Sequence, residues 1–194
     1  MNFSLKVIFF FGLLLASPLI GIAMALIYFE DGGPTIFTQE RLGKNKKIIK
    51  LYKIRTMKNF TPNLGTHEVD ISNYLRTGSF LRKMKIDELP QVINFLKGDI
   101  NIIGPRPCLP NQYELINKRE SSGIFNSTPG ITGLAQVLGY DMSNPEILTK
   151  IEKLYINKKS LGLDVLIFIS TFVMVFRKHI KSLLKEDIEN INNY

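Results

Sequence analysis

The sequence predicts an α+β protein, rich in helix, with one small β-hairpin and an N-terminal helix suited to lipid. Three observations carry this. No charged residue lies between Lys6 and Glu30. Two short β-favouring runs, 36–39 and 47–55, flank a Gly43-Lys44-Asn45 turn. Further on, apolar residues recur at helical spacing. The chain has 194 residues, enough for one domain with its own core, and 45% of them are hydrophobic, which excludes disorder for its bulk.

Residues 7–29 form an uncharged, mostly apolar run. A straight helix of that length reaches about 34 Å, against a bilayer core of about 30 Å. The run is longer than a signal-peptide core, and Glu30-Asp31-Gly32-Gly33-Pro34 is a poor cleavage site, so an uncleaved membrane segment is expected. Ser17-Pro18 sits in its middle. Pro18 has no N–H for the Leu14 carbonyl, so a kink or break is expected there, with the Ser17 hydroxyl available to the freed backbone. Two geometries follow: a kinked span, or a helix that turns back to the face it entered.

From Arg41 to Lys58 there are eight basic residues and no acidic one, within a net charge of +8. This puts that side of the segment in the cytoplasm and suits a surface facing anionic lipid. No nucleic-acid recognition motif accompanies it, so no nucleic-acid partner is expected. The single cysteine, Cys108, excludes a disulfide framework and any multi-cysteine metal site; two histidines, His67 and His179, leave little for histidine ligation. No nucleophile motif supports a Ser–His–Asp or Cys–His site.

Residues 59–73 are polar, with Pro62 and Gly65, and read as a loop. Residues 74–85 suit a helix interrupted at Gly78. Residues 87–97 form the clearest soluble helix, with Leu89, Val92, Ile93 and Leu96 on one face, Asp87 as N-cap, Pro90 in the first turn and Gly98 as the stop. Gly104-Pro105-Arg106-Pro107 and Thr128-Pro129-Gly130-Ile131-Thr132-Gly133 read as rigid loops, and residues 145–159 as helix. The uncharged run 165–176 is too short to span; it is either a core helix or an interfacial one. The Asn-rich end reads as a frayed tail.

Chemistry concentrates at Asp87-Glu88. Their ordinary role is a helix cap and a dipole partner. The functional alternative is a phosphate site, because Arg76, Arg82, Lys83 and Lys85 lie just upstream with no acid among them. One carboxylate would hold Mg²⁺ and the other would attack phosphorus, forming an acyl phosphate able to pass its group onward. Arg106, fixed between two prolines, suits a guanidinium that meets a phosphate in one geometry, or a plain surface turn. Thr132 and its flanking glycines could bring backbone N–H groups to an anion.

These residues, taken together, resemble the small monotopic phosphoglycosyl transferases, the bacterial sugar transferase family. The matching pieces are Phe37-Thr38-Gln39-Glu40-Arg41-Leu42-Gly43, Tyr52-Lys53-Ile54-Arg55-Thr56-Met57, Leu81-Arg82 with Asp87-Glu88-Leu89-Pro90-Gln91, Lys97-Gly98-Asp99, Gly104-Pro105-Arg106-Pro107, and Pro129-Gly130-Ile131-Thr132-Gly133-Leu134-Ala135-Gln136-Val137. The resemblance covers nearly the whole chain. It implies transfer of a phospho-sugar from a UDP-sugar to polyprenol phosphate, usually undecaprenyl phosphate, with UMP released. It implies Asp87 as nucleophile, Glu88 as catalytic and Mg²⁺ ligand, and Lys53, Arg55, Arg82, Arg106, Thr132 and Gln136 as substrate-binding residues. It turns the Ser17-Pro18 break into a re-entrant membrane helix over 1–30, followed by a cytoplasmic catalytic domain with interfacial helices over 31–185 and a tail over 186–194. The implied location is the bacterial inner membrane, with downstream glycosyltransferases as further partners and an N-acetylated amino sugar as the donor's sugar. Thr128, Tyr140 and Glu152 depart from the family pattern, which touches nucleotide and sugar contacts. Two other classes fit the residues: a non-catalytic basic adaptor on anionic lipid, and a phosphohydrolase with an aspartyl nucleophile.

Overall fold

The computed structural model describes residues 3–62 and 69–192. Gly65 and His67, within the expected 59–73 loop, lie outside the described residues, as does the end of the tail. The chain divides into two compact units, residues 1–40 with 50–98 and residues 41–49 with 99–194. The expected hairpin is present, with β1 (Ile36–Leu42) paired to β2 (Ile48–Ile54). Its turn closes with Gly43 N–H donating to the Lys47 carbonyl (2.8 Å), and Asn45 and Lys46 take left-handed φ of 54° and 60°.

In the first unit, α1 (Phe3–Asp31) is helical throughout, Pro18 included. Of the expected kink or break, the chain does not leave helical conformation at Pro18, and the Ser17 hydroxyl plays its expected part. The Leu14 carbonyl that Pro18 cannot serve accepts the Ser17 hydroxyl instead (2.7 Å). The helix is long and apolar enough to cross a membrane by length and composition, and Leu15 at its middle is 84% exposed. Both its ends touch the same unit. Near its start, Lys6 donates to the Leu96 carbonyl (2.7 Å) and the Phe9 ring lies 5.0 Å from that of Phe95. Near its end, Ala23 and Ile27 are buried with Ile54, Leu75 and Leu81. Glu30 accepts the Arg76 and Thr77 backbone N–H groups, which open α2 (Arg76–Lys83).

Gly78 does not interrupt α2. It lets the helix lie against the backbone at Thr56, where a Cβ would stand 2.2 Å from the carbonyl oxygen. The next helix also differs from expectation. A 3₁₀ turn at Ile86–Glu88 comes first, and α3 (Gln91–Lys97) starts after Pro90, so Asp87 is not its N-cap. The reason is Lys85, at φ 61°, which ends the preceding turn in the left-handed region and starts a tighter one. Gly98 stops α3 at φ 86°, as expected. Asn94, wholly buried, lies against β2: its amide nitrogen donates to the Lys50 carbonyl (2.7 Å) and its oxygen accepts the Tyr52 N–H (3.1 Å).

In the second unit, two three-residue strands run parallel, β3 (Asn101–Ile103) and β4 (Gly130–Thr132), with Asn101 opposite Gly130 and Ile103 opposite Thr132. The Pro129-to-Gly133 segment is therefore a strand at its centre, not a loop. Around it lie α4 (Tyr113–Ser121), α5 (Leu134–Leu138), α6 (Pro145–Lys158), α7 (Leu161–Phe172), α8 (Val175–Leu183) and α9 (Lys185–Asn192). The core joins Leu115, Leu134, Val137, Leu148, Ile151, Tyr155, Ile167 and Ile180. The 165–176 run forms most of α7, with Ile167 and Ser170 buried while Phe168, Phe172 and Met174 stay exposed, so it has both a core face and an open apolar face. The expected tail is α9, and its Ile188 and Ile191 pack on the core.

Gly78→Ala is expected to destabilise the protein by about 2 kcal/mol, because the added methyl must push α2 off a backbone carbonyl. A thermal unfolding midpoint in detergent equal to that of the unmodified protein would contradict this contact.

Candidate functional site

Four of the named residues meet within the first unit. The 3₁₀ turn after the left-handed Lys85 carries Asp87 and Glu88, α2 supplies Arg82, and β2 supplies Lys53. Asp87 is 3% exposed, and Arg82 Nε stands 3.9 Å from its Oδ2. Its Oδ1 is buried and accepts no hydrogen bond from the described residues. Glu88 accepts a hydrogen bond from Lys53 Nζ at 2.9 Å, an ion pair in which both partners are largely shielded. Arg82 also lies over the Tyr74 ring, 4.9 Å from its centre.

Burial pushes the Asp87 carboxyl above the ordinary carboxylate range, and the neighbouring Glu88 pushes the same way; Lys53, Arg82 and Lys85 pull it back. A carboxylate held out of water, with an orphaned oxygen and three cations around it, is poised to meet an electrophile that is itself anionic. The same pair can accept a hard dication. Among the described residues no three His, Cys, Asp or Glu side chains cluster as a metal cage. Mg²⁺ needs only one or two carboxylate oxygens when phosphate and water complete its shell, and Asp87-Glu88 fits that donor set.

Arg55 is not with this group. Its guanidinium, in a residue only 6% exposed, donates to the Gly32 carbonyl (2.7 Å) and the Asp31 carbonyl (3.2 Å), bonds the Asn59 side chain, and lies 3.3 Å from the Asp31 carboxylate. Carbonyls at and just past the C-terminus of α1 take the guanidinium that the resemblance implies for substrate. Arg55 thus fastens the exit of α1 to β2.

The second unit holds Arg106, Thr132 and Gln136. Arg106 and Gln136 line a small cleft with Gly104, Pro105, Glu152 and Tyr155. Gln136 donates to the Ile131 carbonyl (3.2 Å), while its own Oε1 is buried and accepts nothing from the described residues. Thr132 turns elsewhere. Its hydroxyl meets Thr171 Oγ1 at 2.9 Å, and since Thr171 donates to the Ile167 carbonyl, Thr132 is the donor. The Gly130 N–H, expected near an anion, donates to the Pro105 carbonyl (2.9 Å). Glycine is required at 130 because the Gly104 backbone passes where a Cβ would sit, 2.1 Å from its nitrogen.

Two further arginines of this unit lie outside the set of expected site residues. Arg41 and Arg119 are both buried. Arg119 Nε and a terminal nitrogen bond both oxygens of Glu152, at 2.9 and 2.5 Å. The signal was available: Arg119 follows Leu115 by four residues and Glu152 follows Leu148 by four, so each charge stands on its helix's apolar face.

Similar proteins bear on this arrangement. The chain is 33% identical over 177 residues to the uncharacterized sugar transferase EpsL of Bacillus subtilis, covering 91% of this chain and 84% of EpsL. It is 35% identical over 160 residues to the galactosyl transferase CpsE of Streptococcus agalactiae, covering 75% of this chain and 35% of CpsE. It is 37% identical over 164 residues to the UDP-N-acetylgalactosamine-undecaprenyl-phosphate N-acetylgalactosaminephosphotransferase of Aeromonas hydrophila, covering 81% of this chain and 39% of that protein. This chain spans little more than a third of the last two proteins. Residues 4–178 match the family model for bacterial sugar transferase, and the chain belongs to that family.

Proposed function

We propose that this protein moves a phospho-sugar from a UDP-sugar to polyprenol phosphate, giving polyprenyl diphosphate sugar and UMP. The observation that carries the reading is the buried Asp87 carboxylate, with its orphaned Oδ1, inside a ring formed by Lys53, Arg82 and Glu88. An Asp87 oxygen attacks the phosphorus that bears the sugar. The bond from that phosphorus to the bridging oxygen breaks, and UMP leaves with the electron pair. An oxygen of polyprenol phosphate then attacks the same phosphorus, and the Asp87–phosphorus bond breaks, restoring the carboxylate. Arg82 and Lys53 offset negative charge on the phosphoryl oxygens throughout. Glu88 is the residue to hold Mg²⁺, which when bound neutralises diphosphate charge. The kinship with an N-acetylgalactosamine-phosphate transferase supports an N-acetylated amino sugar as the donor's sugar.

The same reading places the protein on the cytoplasmic face of the bacterial inner membrane, with α1 entering and leaving by that face. What supports this is that Lys6 and Phe9 at one end of α1, and Ala23, Ile27 and Glu30 at the other, contact one unit. The open apolar side of α7, followed by Arg177, Lys178 and Lys181, supports a second, interfacial contact with anionic lipid.

Asp87→Asn is expected to lower UMP release at least about a thousandfold while the protein still sediments with membrane. Turnover near that of the unmodified protein would refute the nucleophile and favour a lipid-binding adaptor. Without polyprenol phosphate, UMP release should stop after one equivalent per protein; continued release would identify a hydrolase. Chelation should stop the reaction and Mg²⁺ restore it, with Glu88→Gln needing a higher Mg²⁺ concentration for half-maximal rate; a rate indifferent to chelator would remove the metal from the scheme. Because Cys108 is fully buried, Ser4→Cys provides a single accessible thiol. It should react with an impermeant maleimide in inverted vesicles and not in right-side-out ones; the opposite pattern would mean a spanning helix.

A further inference from the structure

Away from the Asp87 turn, one apolar side chain of the first unit stands where the backbone resists it. Lys58 to Thr61 form a turn. The Thr61 N–H (3.3 Å) and hydroxyl (2.7 Å) close it by donating to the Lys58 carbonyl. Phe60, third in that turn, takes φ 69°. A left-handed third residue calls for Gly or Asn, and a bulky side chain is rare there. Among the described residues, the Phe60 ring is also fully exposed. A lone exposed ring needs no explanation. Here a resisting backbone and a bare ring coincide on one residue.

The turn is fixed from both sides. The Lys58 N–H donates to the Asn73 carbonyl (2.8 Å). Asn59 donates its backbone N–H to Asp31 Oδ2 and its side-chain amide to the Asp31 carbonyl, each at 2.9 Å. Arg55 bonds Asn59 as well as the Gly32 carbonyl. Phe60 therefore follows directly after a clamp on the exit of α1. The last turn of α1 leaves Tyr28 and Phe29 exposed, Phe29 at 85%. Aromatic rings at the end of a long apolar helix suit a membrane–water boundary, with apolar chains on one side and water on the other. Lys58, exposed in the same turn, adds a cation of the kind anionic headgroups attract. In water the ring is a second cost added to the backbone's; in lipid, its transfer from water offsets both.

We propose that the Lys58–Thr61 turn is a lipid-contacting element: the Phe60 ring enters the interfacial layer of the bilayer beside the exit of α1, and Lys58 meets anionic headgroups. Because Asn59 and Arg55 tie the turn to Asp31 and Gly32, it holds that exit at a fixed depth. This rests on the membrane placement of α1 proposed above and goes beyond it, by assigning a lipid contact outside the apolar helices.

The protein has no tryptophan, so one substitution creates one reporter. The test compares full-length Phe60→Trp and Leu15→Trp, each reconstituted into vesicles of phosphatidylcholine and phosphatidylglycerol with or without brominated acyl chains. Leu15, 84% exposed midway along α1, reports whether that helix lies in lipid at all. Both indoles should emit to the blue of tryptophan in water and lose most of their intensity to brominated chains. Bromine near the headgroup should quench Phe60→Trp more strongly, and bromine deep in the chain Leu15→Trp. Quenching of Leu15→Trp alone would overturn this proposal and leave the membrane helix standing; quenching of neither would refute both. Blue emission from Phe60→Trp without lipid quenching would mean that protein covers the ring, and would also overturn the proposal. Adding Lys58→Glu to Phe60→Trp should reduce the quenching; no reduction would overturn the headgroup contact. If Phe60→Trp does not fold, Phe60→Cys carrying a fluorescent maleimide takes its place, since Cys108 is fully buried. It is judged by the same lipid quenching against Leu15→Cys labelled alike, with the same outcomes supporting or overturning the proposal.

Discussion

A carboxylate kept from water is the constraint around which the first unit is built. Asp87 is nearly sealed, and no described residue donates to its Oδ1. Such a group is tolerable only beside positive charge, and the chain brings that charge from three directions: Lys53 from β2, Arg82 from α2, and Lys85 from the residue that starts the turn. Each of those elements is in turn pinned by a specific contact. α2 can lie low against Thr56 because Gly78 lacks a side chain, and β2 is fixed to α3 through Asn94.

The second unit addresses a different difficulty, a loop whose two prolines offer carbonyls and no N–H. Its answer is backbone pinning. Glycines at 104 and 130 allow two chains to approach more closely than side chains would permit, and β3 and β4 pair there over only three residues each. Buried arginines then take the carbonyls that the strands leave over.

Much of this was legible in the sequence, and the rest was hidden for identifiable reasons. The long apolar helix follows from an uncharged run, the hairpin from two β-favouring runs around Gly43-Lys44-Asn45, and the Asp87-Glu88 pair from its basic surroundings. The position of Asp87 misled: an Asp three residues before a Pro looks like a helix cap, and nothing local announces that Lys85 will turn left-handed and insert a 3₁₀ turn. β3 and β4 were invisible because three-residue strands rich in Gly and Pro neighbours lack a period, and their pairing is remote in the chain. Arg55 and Thr132, which the resemblance implies as substrate-binding, have partners within the protein that nothing local reveals. The end of α1 took one and Thr171 took the other. Arg119 and Glu152 were legible in principle, as charges standing on apolar helical faces.

The Asn94 side chain offers β2 one donor and one acceptor, the same pair that a peptide unit of a third strand would offer. It behaves as a strand one residue long, and it blunts the outer edge of the hairpin where Lys50 and Tyr52 would otherwise stand open. A protein confined to the plane of a membrane meets its own copies far more often than one in free solution. A capped edge keeps those encounters from becoming sheet-to-sheet adhesion.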